Sequence, residues 1–516
     1  MKRLIKQIVL VTLIMTLFTY FAQADIITIS GEVKWTDSID STHPSREVLV
    51  HLYAADPTGE LLISDTHTGE DGKYSFSYDK DSFGDALDLF IRVHTDSPEY
   101  KTFTTGGFMG GDIHEFDSAV IPGVTTSKIF DVITPNDTDT GKAFGVHDAL
   151  FSAHRYATTV RGLPTLTPKG ITVNFPNGEA GSYYTPSKKE IALAAKSVNA
   201  WDVIHHEYAH FLQDIDDLDD SPGGEHFLNT SNIPTRGKGP GTKVAWGEGL
   251  ATYIGIASQF VAKDHVPAIL TTKDTDFDSL NALDSSKSFS SSLDNNDEDH
   301  ADGEGDEVAV SRILWDLADS GAEDYGEGQA DLIELGHKTL YEILNTKITD
   351  LETLDDMWDY FFDNPADLGV AGSADKARAA LGAVFQEYSV SPIPFLIETA
   401  FNTTKDLPEF KWFRNNDGAH DKFQIIVFNE DFTKKLLTHD VVGDVTSYKL
   451  TFVQLADLID SGVTDFRLII SGTDSAAPET GAYWSGPQAF TFVIPEPTSL
   501  ILLLSAFPLL RRRKQH

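Results

Sequence analysis

The 516-residue chain contains no cysteine. That excludes disulfides, a thiol nucleophile and any cysteine-ligated metal, so a bound ion must rest on His, Asp and Glu. Basic residues are also scarce, 40 against 79 acidic ones, for a formal net charge of −39. A phosphate backbone would be repelled over most of such a surface, which argues against nucleic-acid binding. The G-x-S-x-G elbow, the phosphate-binding P-loop and the Rossmann fingerprint are missing as well. What remains is an ordinary folded composition, 41% hydrophobic and 11% aromatic, in a chain long enough for several domains.

Both ends carry processing features. Met1 to Lys6 is basic, Ile8 to Phe21 is apolar, and Ala22-Gln23-Ala24 closes the stretch. This order predicts a secretory signal peptide over residues 1–24, with a retained membrane anchor as the alternative. At the other end, Ile494-Pro495-Glu496-Pro497 leads into an apolar run, Leu500 to Leu510, broken by Pro508 and closed by Arg511 to Lys514. The run is too short to span a bilayer comfortably, since a spanning helix takes about 20 residues.

Between these ends the texture changes twice. Residues 25–130 alternate in the β manner, with Val48, Val50 and Leu52 and then Tyr74, Phe76 and Tyr78 set among polar neighbours. After a polar connection at Thr134 to Lys142, residues 140–393 carry helical periodicity, as in Ile204, Tyr208, Phe211 and Leu212. Helices are expected at Trp201 to Gln213, Gly249 to Ala262 and Glu307 to Asp319, with more between Gln329 and Tyr388. Residues 394–493 return to short strands, including Tyr448 to Phe452, and read as a fibronectin III or immunoglobulin-like sandwich. The expected fold class is therefore multidomain, a mainly helical α+β centre flanked by two β-sandwiches.

One segment carries chemistry. His206-Glu207-Tyr208-Ala209-His210 has the form H-E-x-x-H on a predicted amphipathic helix. Residues four apart share a helix face, so both imidazoles can reach one ion, while Glu207 lies beside that face as a base. A catalytic zinc site usually takes a third protein ligand and keeps one position open. Glu248 in Trp246-Gly247-Glu248-Gly249-Leu250-Ala251 is the favoured third ligand, and Asp216, six residues after His210, is the rival. Tyr253, His300 and Arg312 are candidate donors to a developing oxyanion. The acidic stretches Asp214 to Asp220 and Asp294 to Asp306 raise a calcium option, although neither fits a calcium-loop register.

Several of these segments resemble known families. The H-E-x-x-H pentamer with the Trp246–Ala251 segment resembles gluzincin zinc metallopeptidases. The stretch from Glu307 to Trp315, following His300, resembles fungalysin-like and thermolysin-like enzymes. That resemblance implies a zincin-like domain over 140–393, a Zn2+ ion on His206, His210 and Glu248, and Glu207 as general base. Residues 25–130 resemble transthyretin-like, carboxypeptidase-regulatory sandwiches. The tail at 494–516 resembles the PEP-CTERM sorting signal of Gram-negative bacteria. It implies an exosortase as partner, transient membrane association through the tail, and a place at the cell surface or in an exopolysaccharide matrix. The expected activity is hydrolysis of a protein or peptide substrate by an exported zinc peptidase. A non-catalytic surface or matrix-binding protein is the competing reading, and a metal hydrolase acting on another bond is a third.

Overall fold

The computed structural model describes residues 25–37, 40–56, 59–83, 86–104, 111–162, 171–179, 181–227, 230–265, 276–278, 290–292, 303–319, 332–391, 393–395, 400–402, 407–413, 420–441, 445–473 and 483–493. The proposed signal peptide and sorting tail lie outside these residues, as does His300. The chain is a mixed α+β protein with several sheets and a central series of helices. Chain contacts divide the described residues into two compact units, 25–152 with 171–204, and 153–162 with 205–265 and the later segments.

The first unit is built on strands whose alternation was visible in the sequence. Ile26–Thr36 pairs antiparallel with Lys73–Asp79, placing Ile29 opposite Phe76 and Ile27 opposite Tyr78. A second sheet runs Gly59–His67, Leu49–Asp56, Leu87–His94 and Glu115–Asp117. Val48, Val50, Leu52, Ile91 and Val93 are fully buried, as strands covered on one face require. Tyr100–Phe103 leaves this pattern and pairs parallel with Ile171–Asn174. Strand pairing thus crosses the boundary that the sequence places near residues 130–140, because backbone hydrogen bonding follows register rather than composition.

Helix α1, Asp139–Arg161, starts inside the expected linker. Helix α2, Trp201–Asp216, carries the H-E-x-x-H segment and extends three residues beyond the expected end. Ile204, Tyr208, Phe211 and Leu212 are buried at the predicted spacing. Helix α3, Lys238–His265, is longer than expected at its start. Helix α4, Glu307–Ala318, is buried along its whole length. Asp306 caps it, accepting from the backbone N–H of Val308 and Ala309, which satisfies donors a helix start leaves unpaired. Three further helices, His337–Thr346, Leu354–Asp363 and Ala374–Glu387, fill the region expected to be helical.

The C-terminal strands form a six-stranded sheet centred on Lys422–Asn429 and Asp465–Thr473, over a core that includes Phe410, Trp412, Ile425, Phe466 and Phe490. One expectation fails here. The strand at Ser447–Lys449 stops early, and Phe452–Asp460 is a helix. Thr451 and Gln454 form a capping box at its start, and that local pairing outweighs the β-type run Tyr448 to Phe452.

Helices α3 and α4 approach closely at Gly249. A Cβ there would stand 2.6 Å from Val310 Cβ and 2.7 Å from the Glu307 carbonyl oxygen. Gly249→Ala is expected to destabilise the protein by about 1–3 kcal/mol through overpacking, read as a lower denaturation midpoint.

Burial also lowers the pKa values of four histidines, to about 4 for His94, His154 and His337 and to about 3 for His147. These rings stay neutral in the fold and gain protons on unfolding. Their contribution to stability is complete above the unfolded value of 6.5 and is lost as pH falls toward 4. The urea midpoint is expected to fall steadily between pH 7 and pH 4.5; an unchanged midpoint would contradict this account.

Candidate metal centre

Helices α2 and α3 bring the favoured ligands together. His206 Nε2 lies 3.1 Å and His210 Nε2 3.2 Å from Glu248 Oε2, and the two nitrogens are 3.1 Å apart. Donors bound to one ion at about 2.0–2.2 Å stand roughly 3.3 Å apart in a tetrahedral arrangement. The observed triangle fits that requirement. The three side chains are 12%, 17% and 11% exposed, so the site is sheltered but reachable.

The outer faces of the imidazoles are held as metal-binding rings require. Gln213 donates from Nε2 to the Gly247 carbonyl at 2.9 Å. That orientation turns its Oε1 toward His210 Nδ1, 3.2 Å away. His210 then carries a hydrogen on Nδ1, and loss of its other proton would free the Nε2 lone pair for an ion. His206 Nδ1 is held in the same manner by Thr252 Oγ1 at 3.1 Å.

The electrostatics show a place for positive charge. Burial opposes ionisation of Glu248, yet His210 and His206 hold its carboxyl well below the usual range. Burial also disfavours a proton on His210. Glu248, Glu207 and Asp219 outweigh it and raise that ring to about 10, whereas burial dominates at His206 and lowers it to about 4. The nitrogens are too close for both rings to be charged. A single proton therefore stands where a divalent cation would balance the carboxylates better.

The structure also brings in a residue that the sequence did not single out. His226, in the loop between α2 and α3, places Nε2 3.8 Å from Glu248 Oε2. Its Nδ1 lies 2.9 and 3.1 Å from the two Glu307 oxygens. Asn232 donates to the same carboxylate at 2.9 Å. Among the described residues, His206, His210 and Glu248 form one group suited to an ion, and His226, Glu248 and Glu307 form another. No local motif marks His226. The available signal was a histidine two residues after Gly223-Gly224, within the long His210–Glu248 interval.

The remaining candidates separate from the centre. Asp216 does not join the histidines; it accepts from Arg161 at 2.8 Å and from the Tyr341 hydroxyl. Six residues along a helix turn a side chain about 240° from His210, which explains the separation. Tyr253 is 1% exposed, and its hydroxyl lies 2.8 Å from His337 Nδ1. It sits five residues beyond Glu248, about 140° around α3, and does not join the group. Arg312 is buried at 1% on α4. In the first acidic stretch, Asp216 is taken by Arg161, Asp220 by Lys243 and Asp219 by the Ser221 N–H. The second stretch is described only from Gly303 onward.

No family model and no curated protein matches the chain. Among solved structures, a 9R-lipoxygenase from Cyanothece PCC8801 shows a likeness at 10% identity and TM-score 0.16, covering 92% of this chain and 43% of that one. The chain thus spans less than half the length of that enzyme, and a likeness this low carries no argument about fold or reaction.

Exchanging the two rival acids separates their roles. Asp216→Ala leaves Arg161 buried without its carboxylate, and is expected to cost about 3–5 kcal/mol while leaving divalent-cation affinity in the folded protein unchanged. Glu248→Ala is expected to weaken zinc affinity by at least about 100-fold, measured by competition with a chromophoric chelator. The opposite pattern would move the ligand set to Asp216.

Proposed function

We propose that the chain is a gluzincin-type zinc peptidase with a zincin-like centre, in which His206, His210 and Glu248 hold the ion. The observation that carries this reading is the triangle of Nε2, Nε2 and Oε2 atoms at 3.1–3.2 Å. Two neutral imidazoles and one carboxylate form a donor set suited to catalytic zinc. A bound zinc ion would supply Lewis acidity, polarising a carbonyl group and making a water molecule more acidic.

The protein groups divide the remaining work. Glu207 follows His206 directly on α2, is 7% exposed, and acts electrostatically on His210. In this reading it would accept a proton from the attacking water and return it to the departing amine nitrogen. Thr252 and Gln213 keep the two rings oriented, and Gly249 lets α4 pack against the helix bearing Glu248. The substrate class is a protein or peptide, on the strength of the gluzincin-like ligand set.

The test is zinc content together with hydrolysis of casein and a quenched fluorescent peptide. The parent chain is expected to hold about one zinc and Glu207→Gln to retain it, with the rate falling about 10²–10⁴-fold. A parent that retains no zinc would sink the reading. Zinc retention without peptide cleavage would favour a metal hydrolase of another bond.

A further inference from the structure

The sheet containing Leu49–Asp56 in the first unit has an outer face that the His206–Glu248 centre does not use. Val50, Leu52, Ile91 and Val93 are fully buried, so their neighbours in the alternation point the other way. Register places His51 between Asp65 and Arg92 on the flanking strands, and His94 opposite Glu115. His51 and His94 therefore share the outer face of two adjacent strands, Leu49–Asp56 and Leu87–His94. They are diagonal neighbours, a spacing that long side chains can bridge.

The rings do more than meet. His51 Nδ1 and His94 Nε2 stand 3.2 Å apart, with ring centroids 4.6 Å apart and planes at 60°. A straight N–H···N bond in the plane of both rings would hold the centroids roughly 5.5 Å apart. The rings are thus tilted off the line joining their nitrogens, as two ligands of one ion are. His206 and His210 show nearly the same relation, 3.1 Å between nitrogens and 4.7 Å between centroids. Two nitrogens bound to one ion at about 2.0–2.1 Å stand roughly 2.8–3.4 Å apart in square-planar or tetrahedral geometry. The His51–His94 distance falls in that range.

The surroundings favour a cation there. Asp65, Asp96 and Glu115 act on His51 as negative charges, and Arg92 opposes them. Arg92 is itself held by Asp117 at 2.6 and 2.7 Å and by Glu60 at 3.2 Å. Glu115 faces the far nitrogen of His94, Nδ1, at 3.7 Å, the side from which a carboxylate supports a metal-bound imidazole. Burial holds both rings below the usual histidine value, so they meet an ion as neutral donors. The His94 side chain is 14% exposed, which leaves the pair reachable from solvent. Calcium and magnesium require oxygen ligands, whereas imidazoles suit copper, nickel and zinc.

We propose that this face is a metal site of its own, in which His51 Nδ1 and His94 Nε2 bind one divalent transition-metal ion, with water in the remaining positions. Copper(II) binds tightest in the series at such a nitrogen pair, ahead of nickel and zinc. The site does not depend on the zinc-peptidase reading, whose ligands belong to the other unit.

The test titrates copper(II) alone into the untagged full chain and its His51→Gln, His94→Gln, His67→Gln and His206→Ala/His210→Ala variants. Bound copper is counted by equilibrium dialysis. The parent is expected to hold about one equivalent more than His51→Gln or His94→Gln. Two rings on one ion exceed a single ring by about 10²–10⁴-fold, so either substitution is expected to weaken this equivalent at least about 100-fold. His67, an exposed histidine on the same sheet, can be replaced without that loss. The His206→Ala/His210→Ala variant also keeps the equivalent, and its electron paramagnetic resonance spectrum shows two nitrogen ligands. Copper with ascorbate, applied to the parent, is expected to oxidise His51 and His94 in preference to His67. Peptide mass spectrometry reads that outcome without requiring any variant to fold.

Unchanged copper uptake in both His51→Gln and His94→Gln overturns the proposal. So does a loss confined to one of them, since the ligand is then a single ring rather than the pair. Oxidation spread evenly over the exposed histidines has the same meaning. A parent that holds copper only at His206, His210 and Glu248 leaves the His51–His94 contact as a hydrogen bond and nothing more.

Discussion

The buried carboxylate of Glu248 sets the terms for the centre around it. An ionised carboxylate taken out of water costs several kcal/mol unless opposite charge and hydrogen bonds compensate. Glu248 is 8% exposed and has Nε2 atoms of His206 and His210 at hydrogen-bond distance from one oxygen, with that of His226 slightly further out. Glu207, Asp219 and Glu307 add negative charge in the same electrostatic neighbourhood. Neutral imidazoles cannot balance that set, and adjacent imidazoles resist joint protonation. A divalent cation held by the rings and the carboxylate would answer both conditions.

Holding the carboxylate there depends on backbone approach. Gly249, directly after Glu248, leaves the space that Val310 and the Glu307 carbonyl occupy. The same contact brings α4 beside Glu248, and Glu307 at the first turn of α4 then reaches His226. On the other side, Gln213 ties α2 to the Gly247 carbonyl on α3 while orienting His210. One glycine and one amide thereby link the ligand helices to each other and to α4. Substitution of Gly249 would alter the triangle by moving a helix, and substitution of Gln213 would also release the His210 ring.

The parts of this arrangement that could be read in the sequence were those set by local spacing. His206 and His210 share a helix face wherever the helix sits, and the glycine-flanked Glu248 marks a close approach. Alternating strands such as Val48 to Leu52 and Lys73–Asp79 were legible for the same reason. Asp216 was the rival to Glu248 for an arrangement that needs a turn after His210, whereas α2 continues through Asp216. Its 240° turn sends it to Arg161. The helix at Phe452–Asp460 was hidden by β-forming residues, although the Thr451–Gln454 capping box was present to be read. His226 had no local signature, since its approach to Glu248 arises from a loop folding over two helices. Tertiary placement of this kind leaves little trace in composition or period.

That difference also divides the chemistry. On the proposed reading, the motif supplies two ligands and a base, which with an ion would generate a nucleophile from water. They do not stabilise the charge that follows. Four acidic groups near the centre, Glu207, Asp219, Glu248 and Glu307, make an added negative oxygen costly, and a single dication only partly offsets them. In this centre the two helices therefore set the triangle of His206, His210 and Glu248, and the intervening loop, anchored through Glu307 and Asn232, borders it with His226.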